Sequence, residues 1–418
     1  MQTKQFEIRD VVYGFVQLDT QEWAIINHPV FQRLRRVKQL SLTDMVYPGA
    51  IHTRLEHSIG VLQMATSIYD SIMNKERARR LLFEQYSLDE GGIRRYRKII
   101  RLAALLHDIG HAPFSHAGEG LMPFKNPEKN ERYTHEEYSI AIIKHFFKDI
   151  IEEHPLNANY PIKVEEVTAL LGDPVKCSFQ AIILLFKSII SGQLDADRAD
   201  YLLRDSIHTG VSYGLYDKDR LINCIDIGQS KDSDALVLAI QYGGWHTAES
   251  LVIARYQMFS QVYFHKTRRA YDYHINCAVK EILTNAYPQF AGCYPSPNSI
   301  EEYVAFDDWS IYGKIKDGYA GKHGEIIIQR QHYRSDYETD LIPSLDQEEE
   351  LRKRVAILQK EGSRDYYIDE ATTRWYKIDK DILICDKETG YVRELSGLSQ
   401  IVRNMVDSPR KKRLYIER

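Results

Sequence analysis

The sequence predicts a mainly α-helical protein, a helical core followed by a smaller α+β region, and three observations carry that expectation. Apolar residues recur at three- and four-residue steps from about residue 21 to 285, the period of helices with one buried face. Past about residue 286 the texture changes: PQFAGCYPSPNS is punctuated by Pro, Gly and Ser, and strand-like runs follow it. The 418 residues, 44% apolar and 27% charged, suffice for a sizeable core in a chain of two or three domains. We place the two units at 1–289 and 290–418.

The elements follow in order. IRDVVYGFVQLD, within residues 1–20, alternates partly and predicts a small β-element. Ile59, Leu62, Ala65, Ile68 and Ile72 form one helical stripe, and Ile100, Ala103, Leu106 and Ile109 a second. Capping boxes are expected at Thr53…Glu56 and Thr134…Glu137, where a hydroxyl and a carboxylate satisfy the free N–H groups of a helix start. Loops are expected at 122–133, 153–162 and 208–219. GEIIIQRQHY and RWYKIDKDILICD read as strands, and DKETG as the hairpin turn before YVREL. SPRKKRLYIER reads as a polar, solvated tail.

Composition narrows the class. A formal net charge of −4 gives no global pull toward nucleic acid or an acidic membrane surface. Cys177, Cys224, Cys277, Cys293 and Cys385 lie far apart with no CxxC pair, against a disulfide framework or a cysteine zinc site and in keeping with a reducing compartment. MQTKQFEIRD has no apolar signal core, and no apolar run approaches the roughly 20 residues of a membrane span. A cytoplasmic enzyme is the expectation.

The strongest chemical signal is LLHDIGHAPFSH at 105–116. Adjacent His107 and Asp108 end an apolar run and offer a nitrogen and a carboxylate oxygen toward one point. A buried carboxylate is costly without a partner, and a cation supplies one. His57 adds a second nitrogen, and Asp197, in QLDADRADYLLRD, a second carboxylate. Two histidines and two aspartates leave positions open on an octahedral ion, as catalysis requires; the donors suit Mg, Mn, Fe, Ni or Zn.

The ordered H…HD…D set, with FQRLRRVKQL, HTRLEHSIGV, LLHDIGHAPFSH, THEEYS and DADRADYLLRD, resembles the HD-domain phosphohydrolase superfamily over about residues 8–280. More narrowly it is similar to the SAM-and-HD-domain type dNTP triphosphohydrolases and their bacterial relatives, with no SAM domain visible. The resemblance implies a helical HD-domain core that cleaves dNTPs to deoxynucleoside and triphosphate. It implies a homo-oligomer, a tetramer, with nucleotide sites between subunits, and a regulatory or oligomeric role for 290–418. Carried over by motif, His57, His107, Asp108 and Asp197 are the ligands of a divalent metal, and His116 is the acid that protonates the leaving 5′ oxygen. Glu119 stands where the family has a supporting Asp, one methylene longer. His135 and Glu136 complete a proton network, and His111 binds phosphate or a second metal. The chemistry agrees with these roles. A metal lowers the pKa of bound water, and a histidine titrating near neutrality suits proton transfer to an alkoxide.

Asp197, Tyr201 and Asp205 are spaced by four, so one helical face carries two acids and a phenol, flanked by Arg198 and Arg204. The resemblance makes Arg198 a phosphate ligand and gives Tyr201 and Asp205 the sugar 3′-hydroxyl. Arg255, Tyr263 and Lys266 sit at steps of eight and three and are expected to project together from a second helix. Arg54, Arg198, Arg255 and Lys266 would then offset much of a triphosphate's charge. Gln39 and Leu40 match a pair that packs beneath the sugar, and an apolar contact there leaves a ribose 2′-hydroxyl unpaired. Phe259 departs from the family histidine at its position. Asn27 replaces an aspartate that reads an activating guanine, while Gln32 and Arg35 match that effector site. Other HD activities (phosphodiesterase, nuclease, nucleotidase) stay open at this point. So does a catalytically silent regulator binding nucleotides or nucleic acid, which the 28 tyrosines and PRKKR would serve.

Overall fold

The computed structural model describes residues 5–172, 180–371, 381–386, 388–405 and 410–417. The predicted β-element is an antiparallel hairpin, β1 (Phe6–Asp10) and β2 (Gly14–Leu18), with Phe6 opposite Leu18. Asp19 then caps helix α1 (Thr20–Asn27) in a full capping box with Glu22.

The centre of the molecule is α2 (Arg54–Met73), most of whose residues are buried, including the whole predicted stripe from Ile59 to Ile72. Thr53 occupies its N-cap position but its side chain makes no capping bond, so the expected box there does not form. Against α2 pack α3 (Glu90–Leu106) and, from later in the chain, α6. The expected loop at 122–133 folds into a short hairpin, β3 (Phe124–Asn126) with β4 (Glu131–Arg132). Thr134 and Glu137 form their predicted box at the start of α4 (His135–Phe146). Helix α5 (Gln180–Ile190) leads to α6 (Ala196–Thr209), which Asp195 caps and which Gly210 ends at φ +73.

Two glycines let these elements close on the site. A Cβ at Gly60 of α2 would collide with Asp200 and Arg204 of α6, and one at Gly110 with the His135 carbonyl and the Ser139 N–H of α4.

The long helical stretch is interrupted by β5 (Ile225–Gln229) and β6 (Leu236–Gln241), paired with Ile225 opposite Ile240. Short apolar runs do not distinguish a buried strand from a helix, so periodicity missed them. Helix α7 (Trp245–Met258) passes through five π-helical residues, Phe259–Tyr263, before α8 (Lys266–Asn285) begins anew from its cap His265.

Beyond α8 lies the smaller α+β part: α9 (Asp308–Lys316), α10 (Gly321–Gln329), β7 (Arg334–Glu338), α11 (Leu345–Glu361), β8 (Tyr366–Ala371), β9 (Leu383–Cys385), β10 (Val392–Glu394) and β11 (Lys411–Ile416). GEIIIQRQHY is largely helix, not strand. Ile326 and Ile327 are buried, and Gly324 packs so tightly on Ala320 and Ile315 that burial overrides β-branched propensity. The solvated tail is also corrected: β11 is the middle strand between β7 and β8, with Leu414 and Tyr415 buried. The DKETG turn joins β9 and β10 as expected. Strand β9 runs parallel beside β6, so one four-stranded sheet joins the chain's end to its helical part. Residues 374–380 of the expected RWYKIDKDILICD strand, and Cys177, lie outside the described residues; the other four cysteines are free. Among the described residues no helix is long and apolar enough to cross a membrane.

Candidate metal centre and substrate pocket

Three helix ends bring four side chains to one point. His57 lies in the first turn of α2, His107 at the end of α3 with Asp108 after it, and Asp197 in the first turn of α6. His57 Nε2 is 3.0 Å from Asp197 Oδ1 and 3.4 Å from Asp108 Oδ2. His107 Nε2 is 3.2 Å from Asp108 Oδ1 and 3.8 Å from Asp197 Oδ1. Each ring is oriented from behind: His57 Nδ1 is 2.8 Å from Asp200 Oδ2, and His107 Nδ1 is 2.8 Å from the Ala104 carbonyl. Those partners leave each Nε2 as the lone-pair nitrogen, the usual arrangement behind a metal-binding histidine.

The donor set fits a divalent cation. Both Nε2 atoms are buried without a hydrogen bond, although carboxylate oxygens stand within reach. Burial opposes charge on His57, yet Asp197 and Asp200 push its pKa up to about 10. A nitrogen facing two carboxylates calls for positive charge between them, which a proton or a cation supplies. Asp108 is held well below the usual carboxylate range, because Arg54 and His107 outweigh the burial that opposes its charge.

A second cluster adjoins the first through His111, whose Nε2 is 3.3 Å from Asp108 Oδ1. Three imidazoles surround Glu119 Oε1: His135 Nδ1 at 2.8 Å, His116 Nδ1 at 3.0 Å and His111 Nδ1 at 3.2 Å. His135 Nε2 faces Glu136 at 3.5 Å. Burial works against charge on Glu119, but these imidazoles hold its carboxyl well below the usual range. Burial and the Arg54 charge bring His111 down to about 4, whereas Glu119 overcomes burial and lifts His135 to about 9. His116 alone of the three is largely exposed, its side chain 65% accessible.

The backbone before His116 is left-handed at two successive non-glycine residues, Phe114 (φ +60) and Ser115 (φ +55). It is held there from outside. The Phe114 N–H donates to Asp308 Oδ1 at 2.7 Å, and Asp308 Oδ2 accepts the Lys38 N–H at 2.9 Å. The Ser115 hydroxyl donates to the Lys38 carbonyl at 2.6 Å and accepts from Arg54 Nε at 2.8 Å. Arg54 also pairs with Asp108.

Both clusters open on a cavity of about 500 Å³. Gln39, Leu40, Arg54, His116, Glu119, Asp197, Arg198, Tyr201, Asp205, Arg255 and Tyr263, all singled out in the sequence, line it. Gln39 Oε1 is buried there without a partner. Asp205 is fixed by the Tyr263 hydroxyl at 2.6 Å and by His52 Nε2 at 2.8 Å, a role not foreseen for His52. Arg198 Nη1 lies 3.3 Å from Asp195, and the Arg255 guanidinium sits 5.3 Å over the Phe259 ring. Phe259 thus gives Arg255 an aromatic floor where the family has a histidine.

Lys266 does not join this group. The π-helical turn and the break at His265 change its direction, and it borders a different cavity beside His332, Arg334 and Tyr415. Arg268 and Arg269 line the substrate pocket instead. Arg204, read as a flanking charge, is fully buried between Asp10 and Asp200. Asn27, Gln32 and Arg35 gather near the end of α1: Arg35 Nε donates to Gln32 Oε1 at 2.6 Å, Gln32 to the Ile26 carbonyl at 2.7 Å, and Asn27 to the Trp23 carbonyl at 2.8 Å.

Sequence reasoning missed Asp200, Asp308, Arg268 and Arg269. Asp200 had a signal, the third aspartate of DADRAD one helical turn after Asp197. Asp308 had none, since 194 residues separate it from Phe114.

Two family models match in order, the HD domain over residues 54–204 and the HD associated region over 216–386. An uncharacterized protein of Methanocaldococcus jannaschii is 37% identical over 276 residues, 66% of this chain and 49% of that protein. The deoxynucleoside triphosphate triphosphohydrolase of Homo sapiens is 27% identical over 339 residues, 74% of this chain and 49% of that one. The chain thus spans about half the length of these curated relatives. The crystal structure of a hypothetical protein from Aquifex aeolicus superposes with a TM-score of 0.76 at 26% identity, covering 99% of this chain and 97% of that one. With both models in sequence, and the histidines and aspartates of the motif converging on one point, the chain belongs to the HD-domain phosphohydrolase superfamily.

Proposed function

We propose that this chain is a cation-dependent triphosphohydrolase that cleaves deoxynucleoside triphosphates to deoxynucleoside and triphosphate. One observation carries the reading: a single cavity joins Asp197 of the metal centre to Arg54, Arg198, Arg255, Arg268 and Arg269 and to an aromatic wall of Tyr201, Phe259 and Tyr263. Clustered cations suit a polyphosphate, and a concave aromatic wall suits a nucleoside. The name of the human relative points the same way.

A divalent cation on His57, His107, Asp108 and Asp197 would supply charge neutralisation at phosphorus and activate the attacking water. The chain's own groups do the rest. The arginines orient the triphosphate and offset its charge. Glu119 engages His116 Nδ1, which leaves Nε2 of that accessible ring to deliver a proton to the 5′ oxygen as its bond to phosphorus breaks. His135 and Glu136 stand behind Glu119 as the proton network. Leu40 beneath the sugar disfavours a 2′-hydroxyl, while Gln39 Oε1, Tyr201 and Asp205 are placed to bind the 3′-hydroxyl. An activating nucleotide at Asn27, Gln32 and Arg35, assembly into a homotetramer partly through residues 290–418, and a cytoplasmic location complete the proposal.

The test is incubation of metal-loaded protein with each dNTP and NTP, alone and in mixtures, followed by chromatography of the products. Triphosphate released from dNTPs in preference to NTPs is expected. Release of monophosphate or pyrophosphate, or equal turnover of ribonucleotides, would overturn the reading.

A further inference from the structure

The cluster around Glu119 has a geometry that hydrogen bonding alone does not complete. Three imidazole nitrogens, Nδ1 of His111, His116 and His135, converge on the single oxygen Glu119 Oε1 at 2.8–3.2 Å. A carboxylate oxygen has lone pairs for about two donors. The third nitrogen is the odd one: His111 Nδ1 is buried, in a residue only 1% exposed, and makes no hydrogen bond. Its ring is clamped against that of His135, centroids 3.9 Å apart and planes 16° from parallel, so it cannot readily turn away.

We propose that His111, His116, Glu119 and His135 form a second cation site, distinct from the centre at His57, His107, Asp108 and Asp197, for a tetrahedral transition-metal ion of the zinc type. One donor atom from each of the four lies within 4.8 Å of every other. Four ligands at about 2.0–2.1 Å from a tetrahedral zinc stand about 3.3 Å apart, so the observed contacts need only a slight outward adjustment. Three histidines and one carboxylate are nitrogen-rich donors, unsuited to magnesium or calcium.

The surroundings match those of metal-binding histidines as well. His111 Nε2 faces Asp108 Oδ1 at 3.3 Å and His135 Nε2 faces Glu136 Oε1 at 3.5 Å, carboxylates placed behind the rings. The accessible His116 provides the way in. Where His116 and Glu119 act as the proton relay proposed above, the ion removes both from that relay, so excess zinc inhibits the enzyme.

The test is metal counting on the full chain, stripped with a chelator and reloaded with cobalt(II). Wild type should bind two equivalents and show the intense visible absorption of tetrahedral cobalt. Glu119→Gln and His135→Ala should each bind one and lose that absorption, while His107→Ala should bind one and keep it. A wild type that binds one equivalent, lost in His107→Ala and unchanged in Glu119→Gln, overturns the second site. One equivalent lost in Glu119→Gln and kept in His107→Ala upholds it and refutes the HD centre instead. Circular dichroism of each variant separates a lost ligand from a lost fold.

Discussion

Helix α6 carries two sets of buried charge one turn apart, and they are finished differently. At the scaffold end, Arg204 bonds Asp200 through Nε and Nη2 at 2.9 Å each and Asp10 through Nη1 at 2.8 Å, and Asp200 in turn receives His57 Nδ1. Every charge there has its partner. At Asp197 the same helix faces two imidazole nitrogens that have none. A completed network encodes the scaffold and an incomplete one a site, because buried polar groups are left unpaired only where something else is to meet them.

The comparison breaks if the unfinished end proves inert. Asp197→Ala should lower dNTP turnover by more than about 10⁴-fold and cut cation content, both readable by product chromatography and elemental analysis. Its melting temperature should hold, because no completed network is lost. Next in size is His116→Ala, expected to slow turnover by about 10²–10⁴-fold, the range of a general acid. Its side chain is 65% accessible, so urea unfolding should be unaffected. A normal rate removes it from the proton path.

The finished end should respond in stability. Arg204→Met leaves Asp200 and Asp10 buried without a cation, and about 3–5 kcal/mol should be lost in urea titration. Glu22 gives the pH counterpart. Burial opposes its charge, but the Arg101 hydrogen bond lowers its pKa to about 2. The folded state therefore binds the proton more weakly than the unfolded chain. The stabilisation is complete above about pH 4.5 and is lost as pH falls from there toward 2. It amounts to about 3 kcal/mol, and Glu22→Gln should flatten that part of the pH–stability curve.

Legibility follows the same division. The ligand set could be read because adjacency in HDIGH and the four-residue steps of DADRADYLLRD are local, and local spacing survives folding. The small hairpin at the start and the Thr134 box were readable for the same reason. The hold of Asp308 on Phe114 and Lys38 was not, since a loop's left-handed turn leaves no spacing to find. Nor was the strand made of KKRLYI, whose charged start conceals Leu414 and Tyr415, buried only because β7 and β8 flank them.

Lys266 is where local spacing failed, and it offers the finest test. Steps of eight and three from Arg255 would share a face only on one unbroken α-helix, and the π-helical Phe259–Tyr263 followed by a new cap at His265 removes that condition. Its cation is therefore turned to the neighbouring cavity with Arg334, and Arg268 and Arg269 take its place beside the substrate pocket. Lys266→Ala should change KM for a single dNTP by less than about twofold, the size expected of an exposed charge that makes no contact. Arg268→Ala should raise it by about tenfold, in line with a lost charge-assisted hydrogen bond. Steady-state kinetics on both variants at low salt decides it, and a larger effect at Lys266 would return the phosphate site to the position that spacing alone suggested.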